Sequence, residues 1–379
     1  MKVVARIVQT EIEKWVHRGK VLVVTGARQV GKTTMLEDMF EYKAPTTLWL
    51  NADESRVRTR LSELDIAALQ NVVGNYKTVI IDEVQRIENA GLLLKLLADN
   101  FKEVQFIATG SSALDISEKI FEPLTGRYLL FHLYPFALAE VYNDKSAFEI
   151  EGKLPFHLVY GNYPGIVKHP NDAKILLSNL ANQYLYKDVL VWKDIRKPQL
   201  LDNLLKLLSY QVGSEVSIHE LSNQLNVSSE TIDTYIDLLE KSFVIYRLPA
   251  YSTNPRKEVS KMNKIFFWDN GIRNAVIGNY DDVNIRQDVG QLWENFIISE
   301  RMKINAWHAP DRESYFWRNY NQSEVDYVEK ERNQLTAFEM KWNTQKKHRV
   351  TKAFTNAYAE AKTKIITPLS FSDFCVNQD

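Results

Sequence analysis

The feature that most constrains this chain is one short loop. Residues 26–33 read Gly-Ala-Arg-Gln-Val-Gly-Lys-Thr and fit the pattern G-x-x-x-x-G-K-[ST] in full. The all-apolar run 21–24 before the loop is typical of a strand buried on both faces, and a helix-like run follows at 34–40. A motif that matched by chance would have no reason to stand between a strand and a helix. The sequence therefore predicts a loop that binds nucleotide phosphates at a helix N-terminus.

The residue types in the loop predict individual roles. Gly26 and Gly31 let backbone N–H groups turn toward phosphate oxygens, and Lys32 would neutralise the β- and γ-phosphates. The Thr33 hydroxyl would bind Mg²⁺. The residues expected to contact nucleotide are Gly26, Ala27, Arg28, Gln29, Val30, Gly31, Lys32, Thr33 and Thr34.

A second apolar run, residues 79–81, ends in two carboxylates. Asp82 is predicted to hold Mg²⁺, and Glu83 is predicted to polarise an attacking water. A further apolar run at 47–50 lies between the two motifs in the chain. This arrangement predicts the ATPase subclass with an inserted strand and a catalytic Glu, and it favours ATP over GTP.

Two more residues are candidates for sensing the γ-phosphate. The apolar run 104–108 leads into small polar residues, where the Ser111 hydroxyl could reach phosphate or water, although a Ser/Gly turn explains the same residues equally well. Arg127 could act as a charge-stabilising arginine finger, in cis or toward a neighbouring subunit. A surface arginine is the alternative.

The 379 residues suffice for two or three domains. Apolar runs alternate with helical stretches up to about residue 130, which predicts a parallel α/β sheet. Later segments indicate helices, then a helix-turn-helix with two strands, then a helix followed by strands near 314–318, 324–329 and 335–342. We predict a P-loop core at 1–135, a helical connector at 136–211, a winged-helix-like domain at 212–285 and an α+β domain at 286–379.

The helix-turn-helix raises the question of nucleic acid binding. Its second helix carries Glu230, Asp233, Asp237 and Glu240 against Lys241, and these carboxylates would repel a phosphate backbone. A structural winged helix is therefore favoured over one that reads bases. A weaker hypothesis, phosphate contact through the wing, rests on Arg247, Arg256, Lys257, Lys261 and Lys264.

The C-terminal strands contain a second constellation. If the hairpin is symmetric about residues 332–333, Asp326 lies across from Glu339, and Lys341 shares the face of Glu339. Nucleases of the PD-(D/E)xK type use two carboxylates to hold Mg²⁺ and a lysine to position water or stabilise charge. Glu294 on the preceding helix would be the supporting acid, with Glu300 as an alternative.

The same three residue types also occur by chance on exposed hairpins. Whether this set cleaves nucleic acid therefore stays open at the level of sequence.

These motifs together resemble one family, the bacterial and archaeal AAA-type ATPases with a C-terminal domain of unknown function. The resemblance spans essentially the whole chain and implies ATP binding and a nuclease-like C-terminal domain. Ala137 departs from the pattern, which has serine there. The matching segments are 26–34, 81–86, 109–112, 126–127, 161–164, 264–271 and 290–295.

Composition limits the remaining choices. A net charge of -1 gives no global case for nucleic acid, and the single Cys375 excludes an internal disulfide and suits a reducing cytosol. No signal peptide or membrane span is indicated, which predicts a cytoplasmic protein. Three functions stay open: an ATPase switch, an ATP-gated nuclease acting on DNA or RNA, and a nucleotide-dependent scaffold for partner proteins. An oligomer is compatible with each.

Overall fold

The computed structural model describes residues 3–41, 44–110, 121–190, 198–252, 263–345 and 348–376. They form two compact units. The first comprises Met1–Tyr134 with Lys241–Phe243, and the second comprises Pro135–Glu240 with Val244–Asp379. The finer divisions near 212 and 285 stay predictions.

A five-stranded parallel sheet forms the centre of the first unit, in the order β2-β3-β4-β1-β5. The strands are β1 (Val21–Thr25), β2 (Thr47–Asn51), β3 (Thr78–Asp82), β4 (Gln105–Gly110) and β5 (Tyr128–His132). The helices are α1 (Ile7–Trp15), α2 (Lys32–Met39), α3 (Ser55–Ser62), α4 (Ile66–Val73), α5 (Ala90–Asn100) and α6 (Phe121–Leu124). The three central strands are almost wholly buried, which explains their continuous apolar runs.

Strand β4 is the strand inserted between β1 and β3. Its register places Thr109 beside Val24 of β1, and Ala108 beside Ile81 of β3. The sequence pointed instead to residues 47–50, which form the edge strand β2. Order along the chain does not fix order in a parallel sheet, because crossover connections let the chain pass over a neighbouring strand.

Strand β5 was not predicted. It pairs in parallel with β1, and Tyr128 lies beside Val21 at the start of both strands. Phe243, from the separate segment of the first unit, packs against the end of β5, with ring centroids 5.3 Å from His132 and 6.2 Å from Tyr134. The first unit is therefore completed by a segment remote in sequence.

The second unit begins with a helical region. Its helices are α7 (Leu138–Val141), α8 (Ala147–Tyr160), α9 (Pro164–Lys168), α10 (Ala173–Leu190), α11 (Pro198–Tyr210), α12 (Ile218–Leu225), α13 (Ser229–Lys241), α14 (Asn270–Ile277) and α15 (Val289–His308). The turn between α12 and α13 contains Asn226 at φ 54°, and β6 (Ile245–Leu248) pairs antiparallel with β7 (Lys264–Phe267). The predicted helix-turn-helix and the two strands after it are thus present.

Two segments of the second unit that the sequence analysis singled out meet in its interior. The backbone N–H of Asn162 donates to Asp269 Oδ2 at 2.6 Å, and Asn162 Nδ2 donates to Glu300 Oε1 at 2.9 Å. Gly161 has φ 71°, and a Cβ there would lie 2.1 Å from Asp269 Oδ1. Only glycine fits this position, because both the backbone conformation and the space exclude a side chain.

A four-stranded sheet ends the second unit, in the order β11-β10-β9-β8. Its elements are β8 (Glu313–Arg318), β9 (Glu324–Glu331), β10 (Gln334–Met340), α16 (Lys352–Ala357), β11 (Lys362–Ile366) and α17 (Phe371–Cys375). The β9–β10 pairs, such as Tyr327 with Phe338, are symmetric about residues 332–333, which confirms the predicted register. Strand β11, parallel to β10, was not predicted.

Within the described ranges, no helix is both long enough and apolar enough to cross a membrane.

Candidate functional site

The phosphate loop follows β1 at the carboxyl edge of the parallel sheet. A Cβ at Gly26 would lie 2.1 Å from the carbonyl oxygen of Leu133, so only glycine allows the chain to pass there. Gly31 adopts φ 93° and caps α2, whose first residue is Lys32. The loop therefore leads directly into a helix N-terminus, where backbone N–H groups and the helix dipole favour an anion.

Lys32 lies folded inside this loop. Its side chain is buried, and Nζ donates to the carbonyl oxygens of Gly26 at 2.8 Å and Ala27 at 3.0 Å. The ammonium group is thus held at the centre of the loop by neutral acceptors. A phosphate entering the loop would offer it charged oxygens, which form stronger hydrogen bonds.

Asp82 connects the loop to the neighbouring strands. The Thr33 hydroxyl donates to Asp82 Oδ2 at 3.1 Å, and the Thr109 hydroxyl donates to the other oxygen, Oδ1. A hydroxyl and a carboxylate at this edge form the oxygen donor set that Mg²⁺ prefers, so the residues present fit the ion. The structure therefore brings together Thr33 and Asp82, as the proposed roles require.

Glu83 is held at both its backbone and its side chain. Its N–H donates to Thr109 Oγ1 at 3.2 Å, and its backbone lies in the left-handed region at φ 56°. The short 3₁₀ helix Val84–Arg86 follows, and Gln85 Nε2 donates to Glu83 Oε2 at 2.6 Å. Left-handed backbone at a non-glycine residue is uncommon and concentrates at functional sites.

Thr109 is the site residue that the sequence reasoning missed. Ser111 was chosen for the hydroxyl at the end of β4, but it lies outside the described residues. Thr109 contacts both Asp82 and Glu83, because β4 lies next to β3. Placing β4 beside β3 from sequence would have identified it.

Arg127 does not lie at the phosphate loop. It precedes β5, and its carbonyl oxygen accepts from Val21 N at 2.9 Å, at the start of β1. The loop follows the other end of β1, so a whole strand separates the two. Arg127 Nε instead donates to Asp99 at 2.6 Å. The prediction that Arg127 senses the γ-phosphate of its own chain is thus corrected, and a role toward a neighbouring chain stays a prediction.

The second candidate site lies on the C-terminal sheet. Lys341 Nζ lies 2.9 Å from Asp326 Oδ2 and 2.6 Å from Glu339 Oε2. Both carboxylates are buried. Glu294 lies near this cluster and is bound by the buried Lys264, with Nζ 3.1 Å from Oε1. The structure therefore brings together the set predicted from the hairpin register.

Burial and neighbouring charge act on the acids of this cluster. Burial, reinforced by the charge of Asp326, raises the pKa of Glu339 to about 7. Burial also raises the pKa of Glu294 to about 7, against the opposing charge of Lys264. Burial is thus the main reason that these two acids keep their protons to a higher pH than free carboxylates do.

Among the residues that the structure describes, no three His, Cys, Asp or Glu side chains are arranged to hold a metal ion. In the C-terminal cluster, Lys341 takes the position between Asp326 and Glu339. Glu300, the alternative supporting acid, is fully buried and binds Lys303 Nζ at 2.6 Å and the backbone N–H of Leu138. Glu300 is therefore a packing residue, not part of this cluster.

The hypothesis of phosphate contact through the wing loses two of its basic residues. Arg247 forms ion pairs with Asp233, Asp237 and Glu240 on α13, and Lys264 is buried against Glu294 and Glu324. The acidic face of α13 thus binds an arginine of its own unit. The other three, Arg256, Lys257 and Lys261, lie outside the described residues.

Comparison with known families agrees with this organisation. Residues 18–142 match the model of an AAA domain. Residues 151–282 and 289–373 match two domains of unknown function, DUF8612 and DUF4143. The first unit, with its parallel α/β sheet and phosphate loop, accordingly has a P-loop NTPase fold, and the segments that match DUF8612 and DUF4143 follow the AAA match in the chain.

Similar curated proteins occur in bacteria and archaea. An uncharacterized protein of Mycobacterium tuberculosis is 27% identical over 336 residues, covering 87% of this chain and 72% of that protein. An uncharacterized protein of Haemophilus influenzae is 25% identical over 277 residues, covering 68% and 69%. An uncharacterized protein of Methanocaldococcus jannaschii is 25% identical over 313 residues, covering 71% and 65%.

Solved structures match only distantly. The Pif1 helicase from Candida albicans aligns at a TM-score of 0.26 and 15% identity, over 48% of this chain and 48% of that chain. A Drosophila ORC structure bound to AT-rich DNA and Cdc6 aligns at a TM-score of 0.25 and 8% identity, over 72% and 90%.

Proposed function

We propose that this chain binds ATP with Mg²⁺, hydrolyses it, and couples its nucleotide state to the C-terminal domains. The observation that carries the proposal is the hydrogen-bonded set at the edge of the sheet, in which Asp82 receives the hydroxyls of Thr33 and Thr109, and Thr109 accepts the N–H of Glu83. The side chains of Thr33, Asp82 and Thr109, which belong to α2, β3 and β4 respectively, thus meet beside the phosphate loop.

Each residue of this site has its own proposed role. The loop amides and Lys32 would bind the β- and γ-phosphates, and Glu83 would accept a proton from the attacking water. Mg²⁺, held through Thr33 and Asp82, would supply positive charge to the phosphate oxygens. Thr109 would fix the position of Asp82 relative to Glu83, since its hydroxyl forms hydrogen bonds with both residues.

The first test concerns binding. Lys32→Ala removes the ammonium group inside the loop, and a lost charge-assisted hydrogen bond of about 1.5–3 kcal/mol predicts a loss of ATP affinity of roughly tenfold to a hundredfold. Calorimetric titration with ATP and Mg²⁺ measures it. Lys20→Ala, which removes an amine that lies just before β1 and donates to the carbonyl oxygen of Gly126, is the control. Wild-type protein that takes up no ATP would refute the proposal.

A second candidate function is supported by a separate observation, the contact of Lys341 with both Asp326 and Glu339. We propose that this cluster is a nuclease site of the PD-(D/E)xK type, gated by ATP and acting on DNA or RNA. The two carboxylates would hold a divalent cation, which would supply charge to the scissile phosphate, and Lys341 would position water. Lys341 would have to leave the carboxylates as the cation enters.

Cleavage tests this second function directly. With Mg²⁺ or Mn²⁺, the full chain is expected to cut a single-stranded or duplex DNA or RNA probe, and Lys341→Ala is expected to lower the rate about tenfold or more, because the lysine positions or stabilises reacting groups. Lys330→Ala, which removes a lysine of β9 that pairs with Glu313, serves as the control. The proposed site would be ruled out if the wild-type chain cleaved no probe, or if Lys341→Ala and Lys330→Ala cleaved the probe at the same rate.

A further inference from the structure

Gln85 makes a contact that the proposed roles do not use. Its side-chain amide donates to Glu83 Oε2 at 2.6 Å, and the two residues are only two apart because the 3₁₀ turn Val84–Arg86 begins directly after Glu83. Both side chains are half-buried. The bond is short and charge-assisted, which places it among the stronger side-chain hydrogen bonds.

The contact restrains the most mobile part of the proposed base. A glutamate side chain has several rotatable bonds, and its carboxylate reaches a water productively only in a small share of its rotamers. The backbone of Glu83 is already fixed through Thr109. The Gln85 amide fixes the other end, at the carboxylate.

The bond leaves the carboxylate able to act. An ionised carboxylate has two oxygens and about four sites that accept hydrogen bonds, so one amide contact on Oε2 leaves room for a water proton. An arginine or lysine in the place of Gln85 would instead neutralise the base. A neutral amide donor orients the group and keeps it an acceptor.

We propose that Gln85 is a positioning residue for ATP hydrolysis, which holds the Glu83 carboxylate in the orientation that receives the proton of the attacking water. The inference rests on the proposed role of Glu83. It assigns to Gln85 a contribution to turnover and none to nucleotide binding.

Steady-state ATPase kinetics of the full chain test this assignment. Gln85→Ala is expected to lower kcat by about tenfold to a hundredfold with KM for ATP unchanged, since lost orientation affects the chemical step. Gln85→Glu, which cannot donate when ionised and repels Glu83, is expected to lose more. The matched control is Gln224→Ala, since the Gln224 amide donates to Glu220 at 3.1 Å on the exposed face of helix α12.

A double substitution separates positioning from damage to the fold. With Glu83→Gln already present, Gln85→Ala is expected to cause no further loss of kcat and no loss of ATP affinity. Unchanged or increased kcat in Gln85→Ala would overturn the inference, as would a rise in KM equal to the fall in kcat/KM. If Glu83→Gln itself hydrolyses ATP at the wild-type rate, the proposed role of Glu83 fails instead.

Discussion

Glu83→Gln is expected to lower the rate of ATP hydrolysis by about a hundredfold or more, while ATP affinity stays within about twofold of wild type. Glutamine keeps the size of the side chain and its capacity to bond with Gln85, but it cannot accept a proton at neutral pH. The loop and Lys32, which bind phosphate in our proposal, are untouched. Phosphate release under saturating ATP measures the rate, and calorimetry measures the affinity.

A matched control uses the same substitution nearby. Glu88→Gln changes an exposed acid five residues further along the chain and is expected to leave both quantities unchanged. If Glu83→Gln hydrolyses ATP as fast as wild type, another group accepts the proton. If it instead loses ATP affinity to the same extent as turnover, Glu83 acts in binding rather than in catalysis.

The sequence predicted the central strands of the sheet because burial on both faces imposes continuous apolar runs on β1, β3 and β4. The two unpredicted strands, β5 and β11, lie at sheet edges. Edge strands are only partly buried and accept polar residues, such as Lys362 and Lys364 in β11. The sequence of β11 therefore lacks the pattern that identifies a buried strand, whereas β5 has the apolar run 128–131, which was not recognised as a strand.

The missed strand explains the error at Arg127. Once β5 is known to run parallel to β1, the residue before β5 must lie at the edge of the sheet opposite the phosphate loop. The loop, Asp82 and Glu83 could be predicted because each is fixed by local motif. Thr109 and Gln85 could not, because their roles depend on strand order and on a single turn of 3₁₀ helix.

Gly161→Ala is expected to destabilise the second unit by about 2–6 kcal/mol. The backbone at φ 71° and ψ -162° is a conformation that essentially only glycine adopts, which costs an alanine roughly 1–3 kcal/mol, and the new Cβ would meet Asp269 Oδ1 at 2.1 Å. Asp269 would have to move from the buried N–H of Asn162, and a buried group left unpaired costs about 1–3 kcal/mol. The midpoint of thermal unfolding, followed by circular dichroism, measures the effect.

Gly278→Ala measures the cost of a positive φ in the absence of a steric clash. Gly278 has φ 66° and ψ 22°, in the left-handed helical region, and a Cβ there meets no atom within 4 Å. Gly278→Ala is expected to lower the free energy of unfolding by about 1 kcal/mol, which is the cost of the left-handed conformation alone. Equal midpoints for the two variants would show that the contact with Asp269 contributes nothing to stability.

The first unit is assembled from two stretches of chain that are more than a hundred residues apart in sequence. Phe243 covers His132, whose Nδ1 lies 2.8 Å from the hydroxyl of Thr25, the last residue before the phosphate loop. A fragment ending at residue 134 would expose this aromatic face to water. An expressed fragment of this length is therefore an incomplete domain, and any ATP hydrolysis measured on it would be a poor guide to the intact protein.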